Sequence, residues 1–430
     1  MAGKGRDGLA WDESGLDIVP VWAREPNLEA VAKVCREKLD SQTCDVSFFA
    51  QGAFNKLYLA RTKSRDFLMR VSLPVHPHSK TKGEVTTLRF LRRETDIPVP
   101  EVIAFDDSSD NEIGFEWILM ERIPGVSLYK KWRALSSFQK TAIVQRVAEF
   151  QAQVFRHPFS GLGTLSPTSG DEKGCQLPQP GQLVTGHFFA GSHFDLNIPR
   201  GPFRSSHAWL SAYLEIVVKD HTTAKDEAED SEDEEDADFA LALTHRLIAL
   251  LPKIFAPIQH PPERSVIWHQ DLSLSNILVS EQGDITAVID WECVSTMPLW
   301  VATQTPKFLD GSPREEEPQR DKYADESEPE SDQDQDAGDD DGLDNEGKNE
   351  LYWIHMMEYE TTQLRRVYHT TMRQLNPGWE SQVEDSTLKQ DFAGAVFRCG
   401  HGFSLKRIAE WADAVERGEF PRLLDVLRSN

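Results

Sequence analysis

Residues 266–292 read VIWHQDLSLSNILVSEQGDITAVIDWE. The apolar run SVIWH feeds a polar loop, QDLSLS. Two short apolar strands, NILVS and ITAVIDW, then flank EQGD, a good hairpin turn. If the hairpin folds about residues 282–283, position i faces roughly 565 − i. Asp290 then lies opposite about residue 275, beside Asn276. A carboxylate and an amide oxygen are thus brought together, both hard donors suited to Mg²⁺ with a phosphate as the remaining ligand. Asp271, five residues before Asn276, sits in the preceding loop and can meet an incoming hydroxyl. This D-x-x-x-x-N spacing with a later Asp is the arrangement of phosphoryl transfer. The competing reading is that His269, Asp271 and Asn276 merely cap turns, as each would alone. The hairpin and Asp290 together favour chemistry.

Independent support lies upstream. In TKGEVTTLRFLRRE (residues 81–94), Glu84, Leu88 and Leu91 fall on one helical face. A glutamate on an apolar face needs a buried cation, and Arg70, at the end of the strand DFLMRV, is the candidate. A strand cation tied to a helix glutamate holds nucleotide phosphates in kinase-like folds; an ordinary structural ion pair is the alternative. Gly52, in AQGAFNKLY, lets backbone approach a phosphate, although most such glycines only make turns. Glu121 follows the strand FEWILM, where a hinge residue would read adenine through its backbone.

The organisation around these residues is two-part. Residues 44–122 are rich in strand signals with one helix, and residues 1–43 precede them as an N-terminal extension. From residue 123 onward helix signals dominate. In SFQKTAIVQRVAEFQAQVF, Ile143, Val147, Phe150 and Val154 share one face, and residues 207–218, 239–251, 351–372 and 404–417 also read as helices. The 430-residue length suits a two-lobed α+β chain, with a small β-rich N-lobe and a larger helical C-lobe.

The net charge of −25 is localised. Residues 226–236, DEAEDSEDEED, hold nine acidic side chains, and residues 325–346 hold twelve, with no basic residue in either run. Taking those 21 charges from −25 leaves −4 for everything else. The acidity belongs to two inserts, about residues 221–238 and 311–349, expected to be disordered. Five cysteines, at 35, 44, 175, 293 and 399, form no CxxC pair, which argues for a reducing compartment and against a zinc site. No apolar run reaches membrane-spanning length, and the N-terminus has no apolar leader segment. The expectation is a soluble cytoplasmic protein, with the nucleus as the alternative, and with neither nucleic acid nor membrane as partner. Its oligomeric state is not written in the sequence.

HQDLSLSNILV followed by VIDWE, with GAFNKLYLA, FLMRV, Glu84, IPVPEVIAFD and WILMERIPG in that order, resembles the aminoglycoside phosphotransferase / choline kinase-like family over about residues 45–300. RGPF (200–203) and DWECVSTMPLW (290–300) are most similar to its large fungal branch. The resemblance implies a two-lobed protein-kinase-like fold and ATP- and Mg²⁺-dependent transfer of a phosphate to a small-molecule hydroxyl. It implies that Asp271 positions the hydroxyl and His269 braces the loop. Asn276 and Asp290 would hold the metal, while Gly52, Asn55, Arg70, Glu84 and Glu121 surround the nucleotide. Arg70 departs from the lysine most kinases carry there; it keeps the charge but not the point-charge geometry. That departure leaves an inactive pseudokinase, recruiting partners through its acidic inserts, as the rival. CVSTMPLW after DWE offers no protein-kinase activation loop, and no lysine follows Asp271 at the two-residue offset. Residues 186–214, by family analogy, help build the acceptor pocket.

Overall fold

The computed structural model describes residues 5–15, 18–41, 43–168, 176–325, 347–400 and 404–429. The N-lobe is built on a five-stranded antiparallel sheet. Its order is Asp45–Gln51, Asn55–Arg61, Asp66–Ser72, Glu116–Glu121 and Val102–Asp106. The middle strand is covered on both edges, with Arg70 across from Leu57 and Ile118. The helix Ser79–Glu94 lies near this sheet and ends at Thr95, where Ile97-Pro98 forces an extended chain. It buries Val85, Leu88 and Leu91, and Glu84 with them.

The described part of the N-terminal extension packs onto this lobe. The helix Leu28–Lys38 is capped by Asn27, whose Oδ1 accepts from the N–H groups of Glu29 and Ala30. Its Val31, Val34 and Cys35 join Tyr58, Met69 and Trp117 in one apolar cluster. Arg6, buried, donates to the carbonyl of Phe189 at 2.9 Å, so the extension also touches residues from the far side of the chain.

The C-lobe packs helices Ser137–Phe155, Ser206–Asp226, Ser231–Ile254, Glu350–Leu375, Trp379–Arg398 and Leu405–Glu416 around a second, larger cluster. The face expected on the first of these, Ile143, Val147, Phe150 and Val154, is buried. Each such side chain stabilises by about 1.5–3 kcal/mol relative to exposure. The same cluster takes in Trp268, Leu274, Ile277, Val279, Val288 and Trp291, which clamps the opening stretch of polar loop and hairpin into the core. The helix Trp379–Arg398 escapes a periodicity reading because its stretch WESQVEDSTLKQD offers only Trp379, Val383 and Leu388 as large apolar side chains.

The expected disorder at residues 221–238 is corrected. Residues up to Asp226 complete one helix and residues from Ser231 begin the next, leaving only a turn between them. Acidic side chains suit this place. Asp230 caps the N–H groups of Glu232 and Asp233, and the first-turn carboxylates face the positive end of the helix dipole. Further along, Ala237, Ala240, Leu243 and Leu247 anchor the helix in the core. The second insert is corrected in part. Residues 311–325 lie along the helix Glu350–Leu375, where Arg314 pairs with Glu358 at 3.0 Å and Arg366 with Glu315 at 2.6 Å. Residues 326–346 of that insert lie outside the described residues.

Candidate active site

The hairpin register is the one its turn dictates. Ile277 pairs with Val288 and Leu278 with Ala287, before a bulge shifts Val279 to Ile285. Beyond the ladder, the N–H of Ile289 donates to the carbonyl of Asn276 at 2.9 Å, which sets Asp290 next to Asn276. Asn276 sits in the single 3₁₀ turn Leu274–Asn276 and donates its Nδ2 to the backbone carbonyl of Asp271 at 2.8 Å and to Asp271 Oδ2 at 3.1 Å. An amide that spends its nitrogen this way keeps its oxygen for another partner. His269 is buried, and burial pushes its pKa down, so the ring is neutral. Its Nε2 lies 3.0 Å from the carbonyl of Ile289 and its face meets the Trp291 ring edge. These contacts tie the loop to the strand that precedes Asp290.

Asp290 takes φ +64°, a left-handed conformation that aspartate tolerates better than most residues. It turns the carboxylate toward the N-lobe, where Oδ1 lies 3.4 Å from Arg70. Arg70 contacts Glu84 at 2.5 Å and Glu292 at 2.6 Å. Both Arg70 and Glu84 are almost fully buried. Burial works against the charge of Arg70, but Glu292, Glu84 and Asp290 outweigh it and raise its pKa. Burial pushes Glu84 up to about 7 against the pull of Arg70. For Glu292 burial also opposes ionisation, yet Arg70 and Lys80 together bring its carboxyl down to about 2. Glu292 has two cations and an amide donor; Glu84 has one cation in contact.

Lys80 and Glu292 were not singled out by the sequence reading. Lys80 is 2% exposed and holds Glu292 at 2.6 Å. The signals were present but weak: a lysine one helical turn before Glu84, and the last letter of VIDWE. Asn55 is corrected. Its Nδ2 donates to Glu292 at 2.8 Å, and its Oδ1 accepts from Ser72 and Lys80. With both ends spent on protein partners it braces the cleft instead of facing it. For Glu121, the N–H donates to the carbonyl of Glu101 at 2.9 Å, so the hinge expectation narrows to its carbonyl oxygen. Gly52 stands in an open turn; a Cβ there would meet nothing within 4 Å, so the fold itself does not require glycine.

A further cation comes from a distance no motif spans. Lys307 Nζ sits 2.6 Å from Asp271 Oδ1, where the loop around Asp271 has no lysine of its own. Burial, then the neighbouring Glu292, push the Asp290 carboxyl up against Arg70, so a further cation beside it would be welcome. Among the described residues no three His, Cys, Asp or Glu side chains form a cage. Two oxygen donors fit an ion such as Mg²⁺ whose remaining ligands are phosphate and water.

Residues 45–301 match the family model described as the phosphotransferase enzyme family. The chain belongs to this family. It has the family's kinase-like α+β fold. Among curated relatives, a subtelomeric hrmA-associated cluster protein of Aspergillus fumigatus is 28% identical over 308 residues. That match covers 61% of this chain and 60% of the relative, so the chain spans less than two thirds of that protein's length. Altered inheritance of mitochondria protein 9 of Candida tropicalis is 30% identical over 126 residues, covering 27% of this chain and 20% of the relative. Among solved structures, aminoglycoside phosphotransferase APH(4)-Ia is 17% identical with a TM-score of 0.44, covering 94% of this chain and 99% of that one. A thermostable mutant of it, in ternary complex with ADP and hygromycin B, is 17% identical with a TM-score of 0.42 and covers 93% and 98%. Among the described residues, no helix is long and apolar enough to cross a membrane.

Proposed function

We propose that the protein is an ATP- and Mg²⁺-dependent phosphotransferase that moves the γ-phosphate onto a hydroxyl of a small molecule. One observation carries the reading. Asp271, Asn276 and Asp290 converge at the lobe junction, and Arg70 ties Asp290 to the N-lobe through Glu84. Bound Mg²⁺–ATP supplies the phosphoryl group and the charge that polarises it. This chain's own groups do the positioning. Asn276 Oδ1 and the Asp290 carboxylate would hold the metal, while the buried Arg70 and Lys80 would place positive charge behind the phosphates. Asp271, oriented by Asn276 and Lys307, accepts the hydrogen bond of the incoming hydroxyl. Positioning and charge neutralisation carry most of the effect in such a loose transition state. A small molecule is the fitting acceptor for a chain of net charge −25, which repels a nucleic acid backbone. The cytoplasm is the compartment this reading assumes.

Asp271→Asn tests it. The change keeps the shape and the hydrogen bond to Asn276 but removes the acceptor's charge. Turnover, read as ADP released, should fall by roughly a hundredfold or more with the melting midpoint nearly unchanged. ATP with Mg²⁺ should raise the midpoint of both forms, and more than ATP alone. A midpoint that ignores millimolar ATP would favour the pseudokinase.

A further inference from the structure

Beside the catalytic loop lies a cavity of about 1160 Å³. Gln270, next to Asp271 in the chain, and Lys307, its ion-pair partner, form part of the wall, so the cavity lies beside the proposed hydroxyl-accepting carboxylate. Trp209, Trp300 and Tyr213 give it an aromatic side. All three come from the stretches 186–214 and 290–300, the first of them expected to shape the acceptor pocket.

Its charge is the reverse of the chain's. Five basic side chains line it, Lys307, Arg365, Arg398, Arg422 and Arg428, against two acidic ones, Asp310 and Asp391. The acids are largely spent. Asp391 is buried and paired with Arg422 at 2.9 Å. Asp310 accepts from Thr305 Oγ1 at 3.3 Å, and burial pushes its carboxyl toward the neutral form. Arg365 is different. Its two terminal nitrogens are fixed by neutral acceptors, the carbonyl of Leu309 at 2.7 Å and Thr362 Oγ1 at 2.8 Å. Among the described residues, Arg398 donates to the carbonyl of Gly394 in its own helix. Among the described residues neither has a carboxylate within ion-pair distance. Asp310 is near Arg365 but not in contact with it. A part-buried guanidinium held in place with no carboxylate in ion-pair contact adds no salt bridge to the fold; it is suited to a ligand's anion.

We infer that the acceptor is an anionic hydroxyl compound, a small polyol or sugar bearing a carboxylate or phosphate, whose anion docks on Arg365 and Arg398 while its hydroxyl meets Asp271. The inference rests on the phosphotransferase reading for what happens to that hydroxyl. It differs from an acceptor that is cationic, for which the cavity offers no unpaired carboxylate pair. The aromatic side covers the sugar-like body, and Lys307 stands at the Asp271 end.

The test is one carbon skeleton in several charge states. Gluconate and glucose 6-phosphate are the anionic probes, glucose the neutral one and glucosamine the cationic one. Each is titrated into the full chain with Mg²⁺–ADP present, at constant ionic strength, and followed by the fluorescence of the cavity tryptophans. Both anions, or one of them, should bind about tenfold or more tighter than glucose, with glucosamine weakest. Which anion leads separates carboxylate from phosphate recognition. Arg365→Met should remove the preference, Arg365→Lys should restore part of it, and the exposed Arg398→Ala should reduce it without threatening the fold. A flat order, a preference for glucosamine, or no binding by any probe at millimolar concentration overturns the inference, as does an anion preference that survives Arg365→Met. The readout is binding. A chain that prefers anions but shows no Mg²⁺-dependent response to ATP keeps the cavity assignment and loses the phosphotransferase reading.

Discussion

On the cleft side of Asp271, Arg70 and Lys80 are buried among Glu84, Asp290 and Glu292, and every charge has an opposite neighbour. On the cavity side, Arg365 and Arg398 have backbone carbonyls and a hydroxyl instead. The same residue type therefore has two duties. In the cleft, arginine holds lobe to lobe and its removal strands a buried acid. In the cavity, arginine is held by the fold and gives it little in return. A positioned cation with no carboxylate in contact suits a place where something outside the protein supplies the anion.

The contrast can be broken most decisively at Arg70. Arg70→Ala leaves Glu84, 3% exposed, without its contacting cation. The cost should be ~3–5 kcal/mol in denaturant unfolding. Adding Glu84→Ala should recover much of it, because the pair is removed together. Additive losses in the double variant would mean that the two do not act as a pair.

Glu292 gives a pH signature of the same compensation. Its carboxyl lies at about 2 in the folded chain against 4.5 for the free side chain. The stabilisation is complete above pH 4.5 and is lost as pH falls toward 2, where the acid takes up its proton. Glu292→Gln has no such proton to bind. Its stability should decline less steeply across that window, by up to about 1.4 kcal/mol per pH unit. Parallel acid limbs for the two forms would show that Glu292 is not held by Arg70 and Lys80.

Of the cleft residues, Arg70, Glu84, Asn276 and Asp290 were legible in the sequence while Lys80 and Glu292 were not, and the reason is local. Strand and helix periods put Arg70 and Glu84 on facing surfaces, and a turn sequence fixes a hairpin register, so Asp290 and Asn276 could be paired by counting. Asn55 was legible as a polar residue of the nucleotide loop but not as a brace, because its partners Lys80 and Glu292 come from a helix and from the hairpin's far end. The acidic run at 226–236 misled because its composition is blind to the apolar helix just beyond it, for which acids make a good first turn. The cavity was the least legible. Lys307, Arg365 and Arg398 stand on separate elements, and only the packing of the helices Glu350–Leu375 and Trp379–Arg398 against the segment after Pro298 brings them to one wall.

The smallest expected effect is the sharpest for the comparison. Arg365→Met keeps the length and apolar stem of the side chain while removing the charge. It forfeits two hydrogen bonds, to Leu309 and Thr362, each worth roughly 1 kcal/mol net. Against that, it relieves the cost of keeping a partly buried guanidinium out of water, which lowers the pKa of Arg365 despite the nearby Asp310. The two terms oppose each other, so the unfolding free energy should change by less than about 1 kcal/mol, in contrast to the several lost at Arg70. Denaturant unfolding of the two single variants side by side, in the same buffer, decides it. Equal losses would mean that Arg365 is as structural as Arg70 and that the cavity's positive charge serves the fold.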